Sequence, residues 1–125
     1  MILDTNALSD WSDGDASVAR LIAQEAFLAL PVIVLGEYRF GLAGSRLQST
    51  LEPKLAEVER FVRVLDITRV TARMYALIRA ELKRSGKPIP SNDVWIAALA
   101  REHNLPILSR DTHFDSVDGV KRVAW

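Results

Sequence analysis

The sequence predicts an α/β fold built on a central, mainly parallel sheet. Short apolar runs of three or four residues alternate with longer stretches of helical periodicity, the order that parallel strands joined by helices require. One of those helices, at residues 92–103, is apolar on most sides (Val94, Trp95, Ile96, Ala97, Ala98, Leu99, Ala100), so it should be largely buried. At 125 residues, 49% apolar and 26% charged, the chain fits one domain (1–125) with a core of its own.

Met1–Leu3 is an apolar run that ends in Asp4 and reads as a first strand. Only two residues precede Leu3-Asp4-Thr5-Asn6, so this strand is short or the natural start lies upstream. Residues about 15–25 look helical. Phe27–Leu30 reads as a second strand, and Pro31 suits the first turn of a helix carrying Val32, Val34, Leu35, Tyr38 and Leu42. A helix follows over about 48–62 (Leu51, Leu55, Val58, Phe61, Val62), then a third strand at Val64–Ile67. Residues about 69–85 form an amphipathic helix. Val70, Met74, Leu77, Ile78 and Leu82 lie on one face, and Arg73, Arg79, Lys83 and Arg84 on the other. Gly86 and Pro88 end it, and Glu81 points toward its apolar side without an evident reason. After the buried helix, closed by Asn104 and Pro106, Ile107–Leu108 begins a fourth strand and Val120–Trp125 supplies a last edge strand.

Several chemistries are excluded outright. Without cysteine there is no disulfide scaffold, thiolate zinc site, iron–sulfur cluster or cysteine nucleophile. No G-x-S-x-G, P-loop or G-x-G-x-x-G motif is present. No apolar run approaches the ~20 residues of a membrane span, and the start lacks a signal-peptide pattern, so a cytoplasmic protein is expected. The net charge is zero, yet it is a sum of opposites. Residues 1–30 carry −4 and residues 60–87 carry +6, a distribution that can hold a cation in one place and meet phosphates in another.

The informative residues are carboxylates in apolar company. Asp4 and Asp111 follow strands, where open parallel sheets form their ligand sites. Equally, Asp4 fits a helix cap and Asp111 a turn. Asp93 occupies the first turn of the buried helix, stabilised there by the helix dipole, but a buried carboxylate needs a partner. Glu37 is mid-helix between apolar residues, either paired with a base such as Arg39 or turned inward. Brought together, such carboxylates would repel unless a divalent cation neutralised them. An all-oxygen donor set suits Mg²⁺ or Mn²⁺. His103 reads as compensation at a helix C-terminus and His113 as a loop residue, with no metal-binding His spacing. Trp95 reads as core, and Trp11 as packing or rim.

LDTN at residues 3–6, GEYRFGL at 36–42, SNDVWIAALA at 91–100 and LSRDTHFDSVDGV at 108–120 occur in the order and spacing of the signatures of PIN-domain ribonucleases. The chain most closely resembles VapC-type toxins of prokaryotic toxin–antitoxin pairs, over essentially its whole length. The resemblance implies a three-layer α/β/α sandwich with four to five strands. It implies one pocket containing Asp4, Glu37, Asp93 and Asp111 as catalytic and metal-binding residues, with Thr5, Asn6 and Ser109 in support. Asp115 is a further acid beside the matched Phe114, and Asp111 is preferred because it directly follows the strand.

The implied activity is Mg²⁺-dependent hydrolysis of RNA phosphodiester bonds, with Mn²⁺ as a substitute ion. The basic helix (Arg73, Arg79, Lys83, Arg84) would hold substrate phosphates. A cognate antitoxin and a homodimer are also implied, and the apolar helical surfaces over 32–62 are consistent with partners. Two other readings are a PIN-like module that binds RNA or protein without cutting, and a receiver-like phosphotransfer protein. All four acids are present, against the first. A second acid beside Asp4 is lacking, against the other.

Overall fold

The computed structural model describes all 125 residues. In chain order the elements are β1 (Ile2–Leu3), α1 (Thr5–Ser12), α2 (Ala16–Ala23), β2 (Ala29–Pro31), α3 (Val32–Ala43), α4 (Gln48–Phe61) and β3 (Arg63–Leu65). Then come α5 (Arg69–Arg84), α6 (Ser91–His103), β4 (Ile107–Leu108), a 3-10 turn (Thr112–Ser116) and β5 (Arg122–Val123). The five strands form one sheet in the order β3-β2-β1-β4-β5, and every pair is parallel. Strands flanked by helices are expected to be apolar on both faces. Ile2, Leu3, Leu30, Ile107 and Leu108 are accordingly all fully buried.

The expected strand and helix order holds, with local differences that have physical causes. Residues 4–25 contain two helices rather than one. Asp4 caps the first through the Thr5 N–H, and Asp15 caps the second through the Ser17 and Val18 N–H groups. Pro31 closes β2 instead of opening the next helix: its backbone is extended (φ −59°, ψ 139°), and α3 starts one residue later. In α5 the core takes Ile78 and Leu82, but Val70 and Leu77 stay exposed. Glu81 is answered from the neighbouring helix. Arg101 of α6 grips it with two hydrogen bonds, at 3.3 and 3.1 Å, and also donates to the Asp118 carbonyl. The α5–α6 pair is further tied by the buried Thr71, whose hydroxyl donates to Glu102 at 2.7 Å. Asn104 ends α6 in the left-handed conformation (φ 53°), and Gly86 does the same after α5 (φ 69°).

The topology places the site. From β1 the chain builds outward through β2 and β3, then returns to the other side of β1 with β4. The order therefore reverses between β1 and β4, and the crevice beyond their carboxyl ends is where open α/β sheets bind ligands. Register pairs Ile2 with Ile107 and Leu3 with Leu108, so Asp4 and Ser109 are the next residues to meet.

Candidate active site

Asp4 leaves β1 into that crevice and is only 5% exposed. One carboxylate oxygen accepts from the Thr5 N–H at 2.8 Å. The other accepts from Ser109 Oγ at 2.6 Å and Asn6 Nδ2 at 3.2 Å. Ser109 Oγ in turn accepts the Asp111 N–H at 2.9 Å, while Asn6 Oδ1 accepts the Arg110 N–H at 3.2 Å. The ends of β1 and β4 are thus stitched together by the small polar residues Asn6 and Ser109, which fixes where Asp4 and Asp111 stand. Burial dominates the Asp4 carboxyl and raises its pKa above the ordinary 3.8; the Ser109 and Thr5 hydrogen bonds oppose this, and the Asp111 charge adds to it.

Glu37 arrives from the second turn of α3, between the exposed Gly36 and the buried Tyr38. Its Oε2 accepts from Thr5 Oγ1 at 3.4 Å, and its Oε1 is buried with no hydrogen-bond partner. Arg39, a candidate partner in sequence, faces away and pairs with Glu52 (2.9 Å) and Glu59 (2.7 Å). Burial raises the Glu37 carboxyl, reinforced by the charges of Asp4 and Asp93 and opposed by the nearby Thr5 and Asn92 side chains. Asp93 projects from the first turn of α6, and Asp111 caps the 3-10 turn by accepting the His113 N–H at 2.9 Å. Asp93 is likewise raised, by burial first and then by the charges of Asp111 and Asp4 against the pull of His113.

Sequence reasoning missed His113. It is not a bystander: its Nδ1 lies 2.8 Å from Asp93 Oδ2 and 3.0 Å from Asp111 Oδ1. The Asp93 hydrogen bond, with the Asp111 charge, raises its pKa above 6.5. The missed signal was its position two residues after Asp111 in a tight turn, which folds the ring back over the carboxylate. His103 instead pairs with its neighbour Glu102 at 2.8 Å. Asp115 stands apart from the cluster, since Arg122 holds both its oxygens at 2.8 Å. Arg122 also donates to the Ser109 carbonyl at 3.2 Å, so this ion pair braces the strand end that carries the site.

The donor set fits a divalent cation. Asp93, Asp111 and His113 present ligand atoms within 4.8 Å of one another. Glu37 Oε1 is a buried carboxylate oxygen without a donor, and the carboxyl groups of Asp4, Glu37 and Asp93 are each raised partly by a neighbouring acid. Mutual repulsion of this kind is relieved by a bound cation, and oxygen-rich ligation favours a hard one.

A parallel sheet with an acidic cluster beyond its switch point, in which Asp93, Asp111 and His113 could together hold a metal ion, defines the class of α/β protein. The chain belongs to the PIN domain family, whose model matches residues 1–120. It is similar to ribonuclease VapC5 of Mycobacterium tuberculosis, with 31% identity over 98% of this chain and 90% of that protein. It is also 30% identical to toxin FitB of Neisseria gonorrhoeae, over 90% of this chain and 88% of that one. The crystal structure of FitAcB from Neisseria gonorrhoeae superposes with a TM-score of 0.88 at 29% identity, covering 97% of this chain and 94% of that one. No helix is long and apolar enough to cross a membrane.

Proposed function

We propose that this chain is a metal-dependent endoribonuclease and the toxin of a toxin–antitoxin pair. The observation that supports the reading is the mutual charge influence among Asp4, Glu37, Asp93 and Asp111 beyond the carboxyl ends of β1 and β4, with Glu37 Oε1 left unpartnered. Ribonuclease VapC5 and toxin FitB, similar over most of the chain, support the activity and the role.

Asp4, Asp93 and Asp111 would hold Mg²⁺, for which Mn²⁺ is the natural substitute, and Glu37 would either join them or orient the attacking water. When bound, such an ion supplies an acidic water and a positive charge opposite the scissile phosphate. The chain's own groups do the rest. Thr5 Oγ1 occupies Glu37 Oε2, so Oε1 is the oxygen free to accept the proton of a water attacking in line. Burial raises the pKa of the Glu37 carboxyl, so its carboxylate is a stronger base than that of an exposed glutamate. Ser109 and Asn6 keep Asp4 from rotating away. Arg73, Arg79, Lys83 and Arg84 of α5 provide phosphate contacts for single-stranded or looped RNA.

A cognate antitoxin and a second copy of the chain are the proposed protein partners. Phe40 is 84% exposed, Phe61 74% and Leu47 53%, an apolar surface on α3, α4 and the turn between them that a partner would cover. Antitoxin entry into the acidic pocket through an arginine would displace the cation. Co-expression with the product of the adjacent gene should yield a complex and rescue growth; absence of both would remove this assignment.

The test of the activity is Mg²⁺-dependent cleavage of pooled RNA with end mapping. Asp4→Ala and Asp93→Ala should abolish cutting while circular dichroism stays unchanged. Cutting by either variant at the parent's rate would overturn the site. A PIN-like binder without activity would bind the pool and cut nothing.

A further inference from the structure

A cavity of about 390 Å³ lies between the last turns of α5 and the turn that leads into α6. Arg79 and Lys83 stand on one side of it, and Leu82, Pro88, Ile89 and Val94 make its apolar walls. Val94 directly follows Asp93 in the first turn of α6, about 100° further round the helix. Its volume falls within the ~300–1,000 Å³ typical of small-ligand sites.

Arg79 and Lys83 have no carboxylate partner, as is true of most basic side chains here; among lysines and arginines only Arg39, Arg101, Arg110 and Arg122 are engaged in ion pairs. Arg79 is nonetheless held in place. Its Nη1 donates to Tyr75 Oη at 2.6 Å, and its guanidinium lies 5.8 Å from the Tyr75 ring centroid. That ring stacks on Trp95 of α6 at 4.0 Å, so a charge aimed at solvent is anchored through both helices. At 100° per residue, Arg73 and Arg84 fall about a third of a turn from Arg79 and Lys83 around α5, which separates the basic face into two pairs.

Resting on the ribonuclease reading, we propose that this cavity is a nucleotide subsite: one base of the RNA sits against Pro88 and Ile89, over the buried Leu82 and Val94, and its flanking phosphates meet Arg79 and Lys83. The pairing of apolar walls with two cations free of carboxylates, of which Arg79 is held by Tyr75, suits a ligand that has an apolar face and an anionic backbone. A bare phosphate would gain nothing from the apolar walls, and an uncharged peptide nothing from the cations. The walls offer no hydrogen-bonding side chain, so the subsite adds affinity and sets the direction of the strand without reading its sequence.

The experiment is equilibrium binding of a fluorescent single-stranded RNA to the full chain in EDTA, which keeps the RNA intact, alongside cleavage with Mg²⁺. Arg79→Gln/Lys83→Gln should weaken binding about tenfold and flatten the salt dependence by about 1.4 in log–log slope, as for two lost single-strand phosphate contacts. Arg20→Gln/Lys54→Gln removes the same charge elsewhere and should change binding less than about twofold. Ile89→Ala should weaken binding with the salt slope unchanged. In cleavage, the paired variant should raise KM and leave kcat near the parent's. Equal effects of the two charge pairs, or unaltered RNA binding in the Arg79/Lys83 pair, would overturn the subsite. So would loss of purified antitoxin binding with RNA binding intact, which would make the cavity a protein-docking site. Wild-type protein that neither binds nor cuts RNA would defeat the ribonuclease reading itself; one that cuts normally while the paired variant binds normally would defeat only the subsite.

Discussion

The Ser109 hydroxyl is fully buried and used twice, donating to Asp4 and accepting the Asp111 N–H. Ser109→Ala would leave the Asp111 N–H without its acceptor and Asp4 Oδ2 with only the longer Asn6 hydrogen bond. It should cost about 1–3 kcal/mol of stability, read by urea denaturation, because an unmet buried polar group bears its desolvation penalty. It should also weaken Mg²⁺ binding about 10–100-fold, the usual effect of losing a group that orients a ligand carboxylate. A variant with parental stability and Mg²⁺ affinity would show that Asp4 is positioned by other means. His113 has a different task. Its ring bridges Asp93 and Asp111 at 2.8 and 3.0 Å and neutralises them when protonated. His113→Ala should therefore lower the melting temperature of metal-free protein more than that of Mg²⁺-saturated protein, as calorimetry in EDTA and in excess Mg²⁺ would reveal.

At the scale of the element, the ends of α6 carry most of the consequence. Its start positions Asp93 in the crevice, and its end turns sharply at Asn104 (φ 53°) to feed β4. Asn104→Gly should be tolerated or slightly stabilising, while Asn104→Val should cost about 1–2 kcal/mol, since a β-branched side chain resists the left-handed region. Thermal melts of the two variants separate these outcomes, and equal stability would mean the turn rearranges freely. The α5 helix illustrates a limit of periodicity. Its apolar pattern includes Val70 and Leu77, but the sheet and α6 reach only Thr71, Ile78 and Leu82, leaving the other two in solvent. Glu81, anomalous in an isolated helix, is ordinary once Arg101 is placed beside it.

For the molecule as a whole, the acidic pocket makes stability depend jointly on pH and metal. Asp4, Glu37 and Asp93 have raised carboxyls, and His113 is raised as well, so the folded metal-free state binds more protons than the unfolded chain. Each such group contributes stability at low pH that fades as pH rises, first through the carboxyl range and then above the ordinary histidine value. A cation competes with those same protons. The rise in melting temperature produced by excess Mg²⁺ should therefore grow between about pH 5 and pH 8, and should shrink sharply in Asp93→Asn. A metal-induced rise that is flat across this range would show that the cation binds elsewhere. The exposed Phe40, Leu47 and Phe61 belong to this scale too, because they lie outside the chain's own core, where the proposed partners would cover them.

What the sequence by itself determined was the parallel α/β order, because strands and helices reveal their periods. Local rules made Asp4, Asp93 and Asp111 conspicuous at strand and helix ends, while the grouping of the four acids, Glu37 included, came from the resemblance to a family. The tertiary structure decided everything that depends on neighbours distant in the chain. Asp4 meets Ser109 only because β1 and β4 pair in register, and Glu37 and Asp93 share its electrostatics only because strand order reverses there. His113 faces Asp93 and Asp111 because a 3-10 turn returns the chain on itself, and Asp115 leaves the cluster because Arg122 claims it. Of the eight bases in the +6 stretch, only Arg79 and Lys83 border an apolar cavity, because charge counting along a helix carries no information about what packs against each side.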